Sequence, residues 1–222
     1  MSVKIDLHTH SYGSPDGGLT VKDFSLMLEN GPLDWIAITD HGQIAAAQQI
    51  KAELGKLGER IIIGEEIKTT DGEIIGLYLM KEIAEGLTPI ETVAAIRAQN
   101  GLVYIPHPFE TQRSGISAKA LVEIIDDVNI IETCNGRAVF QNKGKIAQDW
   151  AERHNKATAA SSDVHGWHGW GRTYSILSSD FSKETLANLL GAATFKQNKV
   201  GVRGLLYPKF HRLRRMLNAR NR

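Results

Sequence analysis

The segment Val3-Lys4-Ile5-Asp6-Leu7-His8-Thr9-His10 begins with alternating apolar residues and closes on two histidines two positions apart. Residues i and i+2 of a strand point to the same side, so a strand here ends in two imidazoles on one face. The pattern recurs along the chain. Residues 35–39 run into Asp40-His41, residues 60–67 carry Gly64-Glu65-Glu66, and residues 102–106 run into His107-Pro108. Residues 128–134 contain Glu132, and residues 157–162 lead to Asp163-Val164-His165. Residues 73–80 make a seventh apolar run, and residues 174–177 a weaker eighth.

Most gaps between these runs have helical composition, the pattern of strands alternating with helices around a parallel sheet. Thr88-Pro89-Ile90-Glu91 joins an N-cap, a proline at the first helical position and a capping-box glutamate, and it predicts a helix through Arg97. Thr20 with Asp23, Ser117 and Ser182 predict further helix starts. Asp71-Gly72 predicts a hairpin in place of a helix between the third and fourth runs.

The 222 residues include 26 Lys or Arg, 25 Asp or Glu and a single cysteine. Residues 209–222 hold six Lys or Arg and no acid, which leaves 20 basic against 25 acidic residues in residues 1–208, a net charge of −5. A mildly acidic body excludes a wholly nucleic-acid-coating surface. Cys134 alone excludes an intrachain disulfide framework and reads as a small buried apolar residue. The absence of a signal-peptide core or long apolar run predicts a cytoplasmic protein with no membrane span. The expected division is a domain over residues 1–200 and a basic helical tail over residues 201–222. Phe210, Leu213, Met216 and Leu217 fall at helical spacing there, so the tail is read as docking on the body, a partner, RNA or an anionic membrane.

In a closed parallel barrel all C-terminal strand ends share one rim, so groups as far apart as His8 and His165 converge. His8, His10, Asp16, His41, one of Glu65 and Glu66, His107, Glu132, Asp163 and His165 make nine candidate ligands. Mixed imidazole and carboxylate donors suit zinc, manganese or iron, and nine exceed the roughly three protein ligands of one catalytic zinc. His154 and His211 read as surface or core residues, and His168 sits in a Gly- and Trp-rich loop.

With DLHTHS at 6–11, TDHG at 39–42, GEEI at 64–67, PHP at 106–108, IETCNGR at 131–137 and SSDVH at 161–165, the chain resembles the PHP family, the polymerase and histidinol phosphatase proteins, over about residues 3–178. The resemblance implies a distorted, TIM-like, seven-stranded (β/α) barrel with its active site at the C-terminal strand ends. It implies phosphoester hydrolysis at two or three divalent ions of Zn, Mn or Fe. By position, His8, His10, Glu66 and Asp163 would hold the first ion. Glu66, His107 and Glu132 would hold the second, and Asp16, His41 and His165 the third. Relatives often carry His or Cys near position 132 and His near position 16; carboxylates there favour manganese or iron. Asp40 is expected to orient a ligand or transfer a proton, and His41 or His165 to protonate the leaving group. Arg113, Arg137 and Arg172 are candidates for phosphate contacts.

The expected activity is a small-molecule phosphomonoesterase that attacks with a metal-bridged hydroxide. Two alternatives are an end-directed nuclease on short nucleic acids, aided by the basic tail, and a non-catalytic regulatory metal-binding module. A metal-dependent amidohydrolase also fits a strand-borne His-x-His, with Lys68 as the sole candidate for its bridging lysine.

Overall fold

The computed structural model describes residues 2–220. The β-branched runs form strands β1 (Val3–Thr9), β2 (Trp35–His41), β3 (Ile61–Lys68), β4 (Glu73–Leu77), β5 (Leu102–Ile105), β6 (Ile130–Asn135), β7 (Ala157–Ser161), β8 (Thr173–Leu177) and β9 (Thr194–Gln197). Between and after them run helices α1 (Val21–Asn30), α2 (Ala45–Glu53), α3 (Pro89–Ala98), α4 (Ala118–Ile124), α5 (Gly144–Arg153), α6 (Lys183–Leu190) and α7 (Val202–Arg220). The expected tail falls on α7, except that residues 221 and 222 lie outside the described residues.

The capping signals act as the sequence predicts. Thr88 and Glu91 form a reciprocal box at the start of α3, Thr20 and Asp23 do so at α1, and Ser117 accepts from Ala120 N–H at α4.

All nine strands belong to one sheet in the order β7-β6-β5-β4-β3-β2-β1-β8-β9. β1, β2 and β3 are parallel, as are β5, β6 and β7, whereas β4 runs antiparallel to both its neighbours. Six strands therefore end, and β4 begins, at the same rim.

The expected seven strands close most of a ring, and the correction to nine comes from β1. Its first half pairs antiparallel with β8, Val3 opposite Leu177 and Ile5 opposite Ser175, and β9 extends that edge. Its second half turns to the segment after β7 instead. Asp163 N–H donates to His8 O and His10 N–H to Val164 O, both at 2.9 Å. A register shift between Asp6 and Thr9 against β2 marks the bend that lets one strand serve both partners. Asp6 adds a side-chain stitch, accepting from Ser162 N–H at 3.0 Å.

A buried cluster drawn from β1 to β8, including Ile5, Leu7, Ile62, Ile75, Tyr104, Ile130 and Ala159, forms one core. Two further cores lie between sheet and helices: Phe24, Met27, Ile38 and Ile50 on the α1–α2 side, and Val93, Ile96, Leu121, Ile131 and Trp150 on the α3–α5 side. The period-two alternation of β3 divides its residues between these layers. Ile62 packs in the first core and Ile61 in the outer one, so the neighbours Glu65 and Glu66 must point to opposite sides.

Candidate metal centre

Glu66 is the carboxylate that faces the rim. Its Oε2 lies 3.4 Å from His8 Nε2, 3.3 Å from His10 Nε2 and 3.2 Å from His41 Nδ1, while Oε1 lies 3.2 Å from His107 Nε2. Glu65 points away and accepts from Ile83 N–H at 2.9 Å, and burial pushes its pKa up to about 7.

The tautomers of His8 and His10 follow from their far sides. Ser14 gives its hydroxyl proton to Asp40 at 2.7 Å, so its oxygen accepts from His41 N–H at 3.1 Å and from His10 Nδ1–H at 3.1 Å. His8 Nδ1 faces Glu132 Oε1 at 3.3 Å. Both imidazoles thus turn Nε2 inward, and those two atoms stand 3.1 Å apart. Asp163 Oδ1 completes the convergence at 3.8 and 3.7 Å. Two lone-pair nitrogens and two carboxylate oxygens facing one another, fully buried, fit a cation between them.

The electrostatics agree. Burial works against charge on His8, yet Glu66, Asp163 and Glu132 raise its pKa well above the usual value, so the carboxylates demand a positive partner. His8 and His41 hold Glu66 well below the carboxylate range in spite of burial. Arg137, His8 and Arg113 do the same for Asp163. Burial lowers both His41 and His165, helped by His10, whose ring stacks at 4.5 and 4.0 Å from theirs. Neutral imidazoles are the form that binds metal.

Among the described residues, four groups of three donors approach closely enough to share an ion: His8, His10 and Glu66; His8, His107 and Asp163; His10, His41 and His165; and His41, Glu66 and Glu73. Seven of the nine expected residues are among them. Asp16 stands at the edge, its Oδ1 3.9 Å from His41 and 3.6 Å from His165, without a hydrogen-bond donor of its own. Glu132 is fully engaged by the protein: Tyr104 O–H and His8 meet Oε1, while His107 N–H and Asn135 Nδ2–H donate to Oε2, both at 2.8 Å. Asp40 likewise spends its oxygens on the N–H and O–H groups of Ser11 and Ser14 and touches none of the imidazoles.

Glu73, absent from the expected set, reaches to 3.9 Å from His107 Nε2, and burial with Glu66 and Asp163 nearby pushes its pKa up to about 9. The Asp71-Gly72 turn held its signal, since a hairpin brings the first residue of β4 to the rim where β3 ends. His107 and Asp163 both have positive φ, 28° and 53°. Non-glycine residues held in the left-handed region mark positions that the surrounding structure over-determines, often at functional sites.

Two of the three candidate arginines meet this centre. Arg113 donates to Asp163 Oδ2 at 2.7 Å and is itself held by Glu110 and Asn135. Arg137 Nη1 lies 3.3 Å from Asp163 Oδ1, and its buried Nε–H has no partner. A pocket of about 150 Å3 opens beside both, lined also by Glu110, Phe140, Gln141 and Leu205 of α7. Arg172 is exposed outside this cluster. Cys134 is buried, which pushes its thiol up to about 12, and His154 packs on Trp150.

A barrel whose rim gathers paired imidazoles and carboxylates around a cation-sized gap defines a metal-dependent hydrolase of the barrel class. The model of the PHP domain matches residues 6–172, and the chain belongs to that family of metal-dependent phosphoesterases. It is 33% identical over 208 residues to the uncharacterised protein MJ0417 of Methanocaldococcus jannaschii, covering 86% of this chain and 81% of that one. It is 30% identical over 150 residues to MJ1587 of the same organism, covering 63% and 88%. Among solved structures, a two-domain protein of Bacteroides vulgatus containing a predicted PHP-like metal-dependent phosphoesterase superposes with a TM-score of 0.66 at 19% identity, covering 96% of this chain and 70% of that one. The lesion-specific endonuclease Q of Pyrococcus furiosus superposes with a TM-score of 0.61 at 14% identity, covering 88% and 58%. These structural likenesses establish a shared fold.

Proposed function

We propose that this protein hydrolyses phosphate monoesters of small molecules at a centre of two or three divalent cations. The observation that carries the reading is the sharing of Glu66 between donor groups, with one oxygen toward His8, His10 and His41 and the other toward His107.

We assign His8, His10, Glu66 and Asp163 to one ion, Glu66 and His107, with Glu73 in reach, to a second, and His41, His165 and Asp16 to a third. Such ions supply an activated water and neutralise charge on the phosphoryl oxygens. Glu132 is assigned to holding the His8 tautomer and the His107 backbone, and Asp40 to anchoring the Ser11 and Ser14 loop that fixes His10. His41 and His165, kept neutral by burial, act as ligands in this reading, not as proton donors. Arg113 is spent on Asp163 and Glu110, so we assign to Arg137, whose Nε–H is unpaired, the contact with a phosphoryl oxygen.

The pocket beside Arg137 is smaller than the roughly 300–1,000 Å3 of ordinary ligand sites, which supports a small ester over a duplex. Endonuclease Q shows that this fold also serves nucleic-acid cleavage, and the basic α7 beside the rim keeps an end-directed nuclease as the second reading. Elemental analysis with a panel of phosphomonoesters, nucleoside bisphosphates and short oligonucleotides, run beside Asp163→Asn, decides between them. Metal-dependent turnover of monoesters, lost in the variant, supports the proposal. Turnover of oligonucleotides alone promotes the nuclease, and equal turnover by the variant rejects the site.

A further inference from the structure

We propose that the outer face of α7 lies on an anionic lipid surface. The helix has two faces of opposite fate. On the inner face Pro208 is buried, Arg215 donates to Tyr12 O at 3.2 Å and Ser14 O at 2.8 Å, and Tyr207 hydrogen-bonds His211. A methyl on Gly18 would meet the Tyr207 hydroxyl, and one on Gly166 would stand 2.7 Å from the Tyr207 ring. Inner-face contacts therefore fasten α7 to the two loops flanking the metal centre, those of residues 11–18 and 165–170.

The outer face has no such partner among the described residues. At about 100° per residue, Val202, Leu206, Phe210, Leu213 and Leu217 fall within a sector of roughly 80°, and Tyr207, Pro208, His211 and Arg215 fall outside it on the far side of the helix. All five are exposed: Val202 72%, Leu206 41%, Phe210 62%, Leu213 52% and Leu217 52%. Arg203 and Arg214 flank this stripe on one side, and Lys209 and Arg212 on the other, all exposed, and residues 202–222 contain no acid.

Three kinds of partner can be set against this arrangement. Nucleic acid would satisfy the cations and leave five apolar side chains in water. A second copy of α7 would bury the stripe but bring basic flanks against basic flanks. An anionic bilayer takes the apolar stripe among its acyl chains and the flanking ammonium and guanidinium groups at its headgroups, where each contributes about a five-fold gain in partitioning. No described helix is long and apolar enough to cross a membrane, so the helix would lie on the surface.

The test is flotation of the full chain with vesicles of phosphatidylcholine alone and of phosphatidylcholine with phosphatidylglycerol, at low and high salt. Capture by the anionic vesicles only, weakened by salt and reduced at least ten-fold by Phe210→Glu and by Leu213→Glu, supports the proposal. Both substitutions sit on the exposed stripe, so an unchanged circular dichroism spectrum serves as the folding control. No capture, or equal capture by neutral vesicles, overturns it. So does binding of a short RNA that survives both substitutions without vesicle binding, or a dimer that both substitutions dissolve. These readouts involve no turnover, so the proposal stands or falls apart from the phosphoesterase reading.

Discussion

Glu132, within β6, and Asp163, just past the end of β7, are both buried carboxylates, but their surroundings differ in what they leave open. All the oxygen capacity of Glu132 goes to Tyr104, His8, His107 and Asn135, whereas Asp163 keeps Oδ1 turned toward His8 and His10. Glu132→Gln should therefore retain the full complement of ions with about 10- to 100-fold weaker affinity, while Asp163→Asn should lose at least one equivalent outright; elemental analysis after dialysis at graded metal concentrations separates the two. Equal loss in both would make Glu132 a ligand. At this scale the sequence was informative about which residues gather and silent about what each does there. The strand-exit pattern exposes His8, His10, His41, His107, Asp163 and His165, because apolar runs have no other reason to end in ionisable groups. Nothing in it shows that Ser14 would take its proton to Asp40 and so fix His10, since that depends on a loop folding back 26 residues ahead of its partner.

Among the elements, α3 is the one whose start was written most fully in the sequence. Thr88→Ala removes the cap and its half of the box, and should cost about 1 kcal/mol of unfolding free energy in urea titration, with an unchanged m-value. The contact between α7 and the rim rests in part on the absence of side chains at Gly18 and Gly166, beside the Arg215 hydrogen bonds. Gly166→Ala would press on the Tyr207 ring, so α7 should loosen, read as faster limited proteolysis within residues 202–218 while the barrel stays resistant. The elements that the sequence left unannounced have physical reasons. β9 is four largely exposed residues, Thr-Phe-Lys-Gln, with no apolar alternation. α5 begins after Lys143 without a side-chain cap, so no start signal exists to be read. Glu73 escaped because β4 is reversed relative to β3 and β5, so that its entry, and not its exit, reaches the rim.

For the molecule as a whole, stability should depend on pH in opposite ways with and without ions. Glu66 and Asp163 have depressed pKa values, so their contribution is present above the ordinary carboxylate range and is lost as pH falls through the folded values. Asp6 and Glu65 are raised to about 7, so theirs is fully present only below their ordinary values of 3.8 and 4.5 and is lost as pH rises toward 7. His8, raised above its ordinary 6.5, adds a further loss on the alkaline side. After chelation the melting temperature should peak in mild acid and fall from pH 5 to 8, and Glu65→Gln should flatten that fall. Added Mn2+ should restore stability most at the alkaline end, because ions bind deprotonated donors. A flat profile after chelation would contradict these charge states. The forked strand β1 gives the same ions a mechanical part. His8 and His10 stand on one lip of the seam and Asp163 and His165 on the other, and among the described residues the backbone-to-backbone hydrogen bonds that join the two lips beside these ligands are His8–Asp163 and His10–Val164. Whatever fills the donor set is then a clasp on the barrel wall. Amide exchange at His10 and Asp163 should quicken sharply on chelation while the rungs between Val3–Ile5 and β8 keep their pace, so that the catalyst's loss of its ions is felt first as an unfastened seam.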